Sequence, residues 1–183
     1  MRSFLILALA ACGSPPSVTP LTGDGLASVR ASFNATPAGP RAIVFFSSGC
    51  AACDTGSRAL AEALATIRGP LTLFAVWEPI SDDDPPPTTH LLGNLAADAR
   101  VHQLWDPAHL MSDEMRASEA AHPGSPRQAR TRTDNADSGI MYDTVALFRG
   151  GARWEATLPA PDYLEVGLAA IVLDVRQKLL AMQ

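Results

Sequence analysis

The stretch Ala42-Ile43-Val44-Phe45-Phe46-Ser47-Ser48-Gly49-Cys50-Ala51-Ala52-Cys53 decides how the rest of the chain is read. Its first five residues are apolar, β-branched or aromatic, the composition of a buried strand, expected over 41–47. Beyond it Ala59, Leu60, Ala63, Leu64 and Ile67 recur on one helical face, so a helix is expected over about 51–68, stopped by Gly69-Pro70. Two residues between the cysteines let both sulfurs meet across the first helical turn. The unpaired N–H groups and positive dipole end there favour the thiolate of the first cysteine. Cys-x-x-Cys alone says little; between a strand and a helix start it predicts a working dithiol.

Outward from this motif, Leu71-Thr72-Leu73-Phe74-Ala75-Val76-Trp77 reads as a second core strand. A strand–helix–strand unit of this length is a right-handed crossover, which makes the two strands parallel. Residues 78–87 form a loop carrying Asp82-Asp83-Asp84, a solvated charge run without the spaced oxygen ligands of a calcium loop. A helix over about 88–98, a strand at Arg100-Val101-His102-Gln103-Leu104-Trp105 and a helix over 108–119 follow. Residues 122–139 are almost devoid of apolar side chains and predict a long exposed insertion. Thr144-Val145-Ala146-Leu147-Phe148 returns to a strand, Gly150-Gly151 is a hairpin turn, and 152–157 is its expected partner. A helix over about 161–181 closes the chain, with Leu164, Leu168, Ile171, Val172, Val175 and Leu179 on one face.

The third cysteine, Cys12, has a different setting. Met1-Arg2 and the short apolar run to Ala11 have the n-region and h-region of an export signal, too short to span a bilayer. Leu9-Ala10-Ala11-Cys12 resembles the bacterial lipobox, which implies cleavage before Cys12 and lipidation of it. The expected organisation is a signal over 1–11, a lipid anchor and tether over 12–39, and one domain over 40–183 with a flexible insertion around 120–140. Such a protein faces the extracytoplasmic space of a bacterial envelope, where a cysteine pair can cycle between disulfide and dithiol. Without Arg2 the net charge of −5 becomes 13 − 19 = −6, and Lys178 is the only lysine. Nucleic-acid partners are not expected of that balance.

The element order, with Cys-x-x-Cys at the first loop-to-helix junction, resembles the thioredoxin-like superfamily over roughly residues 40–181. The resemblance implies an α/β fold with a central mixed sheet of four to five strands flanked by helices. Val101 to Met115, with Trp105-Asp106-Pro107, is similar to the extracytoplasmic thiol–disulfide reductases and peroxiredoxin-like members. From the family, Cys50 is carried over as attacking thiolate and Cys53 as resolving thiol, with no cofactor and no metal. The implied partners are thiols or disulfides of other exported proteins. Three departures stand out. Gly49 replaces the usual aromatic before the first cysteine, Ala51-Ala52 lacks the proline or histidine that tunes many members, and Asp143 stands where a cis-proline is expected.

Gly49, Trp77, Glu78, Trp105 and Asp143 are the candidates to line the site. Trp77 and Trp105 end parallel strands, the edge where α/β folds place ligands. Glu78 is expected as a solvated loop residue, with proton acceptor for the inner cysteine as the sharper alternative. A carboxylate at Asp143 facing the cysteines opposes ionisation of Cys50, whereas a plain loop cap leaves it alone. Two other functions fit the same residues. One is soft-metal, especially copper, handling by the cysteines with His90, His102, His109 or Asp143; the other is a redox-inert binding lipoprotein.

Overall fold

The computed structural model describes residues 18–35, 38–123 and 139–183. The expected export signal, Cys12 and most of the expected insertion lie outside them. Five strands form one sheet in the order β3-β2-β1-β4-β5, where β1 is Arg41–Phe46, β2 Thr72–Trp77, β3 Val101–Trp105, β4 Thr144–Phe148 and β5 Tyr163–Val166. β1 pairs parallel with β2 and β2 with β3, while β4 runs antiparallel to β1 and β5 antiparallel to β4. The sheet is thus mixed, α/β and covered by helices on both faces.

Both faces of β1 are covered, which is why its sequence is an unbroken apolar run rather than an alternating one. Ala42, Val44 and Phe46 pack with α2 (Ala51–Ala65) and α5 (Leu168–Ala181) through Leu60, Leu64, Leu168, Val175 and Leu179. Ile43 and Phe45 point the other way, toward α1 (Gly23–Ala35) and α4 (Leu110–Ala121), joining Phe33, Met111 and Met115. A short helix, α3 (Thr89–Gly93), crosses between β2 and β3, capped by the Thr88 hydroxyl, and ends well before the expected residue 98.

The folded body begins earlier than residue 40. Pro20 bridges to Trp105, the Leu21 N–H donates to the Trp105 carbonyl at 2.6 Å, and α1 drives Val29 and Phe33 into the core. Phe33 meets the rings of Phe74, Phe148 and Trp154, and burial on that scale outweighs a tether's freedom.

The C-terminal half needs a second correction. Residues 152–157 are not a strand. Trp154 plunges into the core, and Asn34 satisfies its backbone by donating to the Trp154 carbonyl and accepting its N–H, both at 2.9 Å. With those groups taken, β4 pairs with Tyr163–Val166. Those four residues were expected as helix, so α5 starts only at Leu168, after Gly167 at φ 87°.

Candidate functional site

β1 delivers its end to a tight turn, Ser47 to Gly49, and Cys50 becomes the residue capping α2. Its Sγ accepts the Cys53 N–H at 3.2 Å, and its carbonyl accepts the same N–H at 3.0 Å. Cys53 lies one turn in, fully buried, with its Sγ accepting the Ser47 N–H at 3.4 Å. Both cysteines are free thiols in this structure.

The two sulfurs are electrostatically unequal. The Cys53 side chain stabilises the Cys50 thiolate by hydrogen bonding, against desolvation, and brings its pKa down to about 7. The same hydrogen bond holds the proton on Cys53, and burial adds to it, so that thiol stays protonated far above its ordinary range. One sulfur is poised to attack and the other is held back. Alkylating the reduced chain at pH 7 should label Cys50 first, with a rate that titrates near pH 7. Earlier labelling of Cys53 would reverse the assignment.

Asp143 ends the loop before β4 at φ 49°, buried, its Oδ1 accepting the Leu168 N–H at 3.0 Å. It therefore caps α5 and also stands close enough for its charge to raise the pKa of both cysteines. Asp143→Asn should lower the Cys50 pKa further, read from the pH dependence of iodoacetamide labelling; no change would mean that its charge does not reach the sulfur.

The other candidates separate. Gly49 immediately precedes Cys50, and a Cβ there would sit 2.6 Å from the Asp84 Oδ1. Trp77 lines no open surface: it is wholly buried, stacked on Phe46 at 4.8 Å, with its indole N–H donating to Gln103. Trp105 is buried as well and reaches only a recess of about 240 Å³ shared with Pro79, Ile80, His109 and Ile140.

Glu78 contradicts the expectation of a solvated loop residue. It is completely buried, because it follows Trp77 and so points to the opposite face of the sheet, under α4. There Oε1 accepts the Ser112 N–H at 3.2 Å, Oε2 accepts the Ser112 hydroxyl at 2.6 Å, and His109 Nδ1 lies 3.2 Å from Oε2. Asp106 serves the same helix start, accepting the Met111 N–H at 2.7 Å. This face is not the one holding Cys53, so Glu78 is no proton acceptor for it.

Sequence reasoning passed over Ser47 and Asp84. Asp84 was grouped with the solvated acids, yet its carboxylate accepts from the Ser47 hydroxyl, the Ile80 and Ser81 N–H groups and the Ser81 hydroxyl. The pattern Ser81-x-x-Asp84, a side-chain-closed turn, was the available signal.

The histidines are dispersed. His90 lies 3.7 Å from Asp54 at the surface, His102 stacks on Phe74 and His109 is held by Glu78. Among the described residues no group of three or more His, Cys, Asp or Glu side chains is placed to hold a metal ion.

Strand order, strand directions and a dithiol capping the helix after the central strand together define a thioredoxin-like fold with a Cys-x-x-Cys site. The chain is similar to a thioredoxin-like protein whose solution structure is known in the oxidized form, at 17% identity over 78% of each chain and a TM-score of 0.49. The fold assignment rests on the strand order and directions. No family model matches the chain, and no curated protein matches it.

Proposed function

We propose that this protein is a thiol–disulfide oxidoreductase working through Cys50 and Cys53, anchored to the membrane by a lipid on Cys12 and facing the extracytoplasmic space. The observation that carries the chemistry is the division between the sulfurs. Cys50 is half-exposed with a pKa brought to about 7, whereas Cys53 is buried with its proton retained. In exchange, the Cys50 thiolate attacks one sulfur of a partner disulfide, and the partner's other sulfur leaves as a thiolate. Cys53 then gives up its proton and attacks Cys50 Sγ, releasing the second partner thiol. The pair is oxidised and the partner reduced by two electrons; the reverse sequence oxidises a dithiol. Partners are disulfides or thiols of other exported proteins, and no cofactor takes part.

The test is equilibration of the full chain in glutathione redox buffers. A reversible two-electron couple within roughly −270 to −120 mV supports exchange. A pair locked in one state across that span overturns it, and tight stoichiometric Cu(I) binding by the reduced form would move the reading to metal handling. Anchoring has its own check. Wild-type protein should fractionate with membranes and Cys12→Ala should not; equal solubility of both would remove the anchor.

A further inference from the structure

The loop that follows β2 is clasped onto the turn that carries Cys50. The Ser47 hydroxyl donates to Asp84 Oδ2 at 3.2 Å, and the Ser48 hydroxyl donates to the Pro85 carbonyl at 2.5 Å. Ser47 is tied in turn to both sides of the dithiol. Its Oγ accepts the Gly49 N–H at 3.2 Å, its carbonyl accepts the Cys50 N–H at 3.3 Å, and its N–H donates to Cys53 Sγ. The approach leaves no room for a side chain before Cys50. A Cβ on residue 49 would lie 2.6 and 2.8 Å from the two Asp84 carboxylate oxygens, closer than real contacts allow. Residue 49 carries no side chain because a carboxylate from another loop occupies that place.

The replacement is charged. Asp84 accepts hydrogen bonds from two backbone N–H groups and two hydroxyls, which hold its pKa below the usual carboxylate range and keep it an anion at neutral pH. Asp143 puts a second negative charge within reach of the Cys50 sulfur. A disulfide arriving at Cys50 therefore meets carboxylate charge rather than the neutral ring of an aromatic residue.

Building on the exchange reading above, we propose that Asp84 is a specificity-determining residue for Cys50. Its carboxylate, fixed where the side chain of residue 49 would begin, favours disulfides flanked by cationic groups over those flanked by anionic ones. The physical basis is Coulombic. Asp84 is largely solvated, so a dielectric close to that of water applies, and a single charge about 6 Å from an incoming charged group then changes the encounter by roughly tenfold between a cation and an anion. The covalent steps are those given above: the disulfide is the oxidant, two thiols leave, and the Cys50–Cys53 disulfide forms.

The experiment uses the reduced full chain and three small disulfides: cystamine, bis(2-hydroxyethyl) disulfide and 3,3′-dithiodipropionate. Each rate is divided by that of a small neutral thiol with the same disulfide, which removes intrinsic reactivity. The wild type should show the order cationic, neutral, anionic, with a cationic-to-anionic ratio of about ten at low salt, shrinking at 1 M salt. In Asp84→Asn the ratio should fall at least about threefold, whereas Asp82→Asn, at an exposed neighbour, should keep most of it. Gly49→Ala keeps every charge but pushes the carboxylate off its place, so its ratio should fall too. This arm decides the matter if Asp84→Asn does not fold. A wild-type ratio near one, or an equal fall in Asp82→Asn and Asp84→Asn, overturns the role of Asp84. Failure to reduce any of the three above the free-thiol rate instead overturns exchange itself, and this inference with it.

Discussion

Cys50→Ala should reduce disulfide turnover at least about a thousandfold, to the level of solvent thiols, because no other described sulfur is placed to begin the reaction. Cys53→Ala should also lose turnover but should not lose the first step. Its Cys50 can still attack, and with nothing to resolve the adduct it should accumulate mixed disulfides visible on non-reducing gels. One further effect separates the roles. The hydrogen bond from Cys53 is the largest influence lowering the Cys50 pKa, so Cys53→Ala should raise that pKa from its value of about 7. A Cys50→Ala protein retaining more than a tenth of wild-type turnover, or a Cys53→Ala protein that traps nothing, would contradict the mechanism.

The second large effect is on stability. Burial under α4 pushes the Glu78 carboxyl up to about 7 from 4.5, against the lowering effect of its bonds with His109 and Ser112. The folded state thus holds this proton more tightly than the unfolded chain does. The resulting stability is complete below about pH 4.5 and is lost as pH rises through 7. A shift of 7 − 4.5 = 2.5 units corresponds to about 3 kcal/mol, most of it falling between pH 5 and 8. His109, raised chiefly by its hydrogen bond with Glu78, and Asp106, raised by burial, change stability in the same direction. Asp84 and Asp98 are lowered instead, and their contributions are lost only under strongly acidic conditions. With the dithiol oxidised, so that the lowered Cys50 pKa adds no opposing gain above pH 7, urea unfolding of the wild type should therefore show stability falling by about 2 to 3 kcal/mol from pH 5 to 8, and Glu78→Gln should flatten that slope. A wild-type curve that is flat or rising over the same interval would mean that the carboxyl is not held protonated under α4.

The dithiol was legible because everything that makes it is local. The strand, the turn, the capping cysteine and the apolar helix face lie within about 25 residues, and each has a periodic or compositional signature. The parallel pairing of β1 with β2 followed from crossover handedness alone. What failed depended on distant partners. Residues 152–157 have strand composition, but Asn34, 120 positions away, takes the backbone groups of Trp154 and defers the strand to 163–166. Gly167 falls inside the helix expected over 161–181 and is in fact its first boundary, at a positive φ that suits glycine. Glu78 and Asp84 were both read as solvated acids. The donors to Glu78 come from α4, and the Ser47 hydroxyl that ties Asp84 to the dithiol turn lies 37 residues away, so neither tie can be read from spacing; only the local Ser81-x-x-Asp84 turn could be. A buried carboxylate such as Glu78 is legible only once the groups that satisfy it are in place.

Where the chain joins its folded body bears on geometry at a larger scale. The bridge from Pro20 fastens the incoming backbone to Trp105, the last residue of β3. β1, β2 and β3 are parallel, so that end of the sheet is also the end from which Cys50 projects. From Cys12 to Pro20 is 20 − 12 = 8 residues, which even fully stretched cover no more than about 29 Å. A lipid on Cys12 would therefore act as a short leash attached at the reactive rim itself. Cys50 would sweep a shell only a few nanometres deep above the lipid headgroups, and disulfides in the membrane-proximal parts of other proteins would be within its reach.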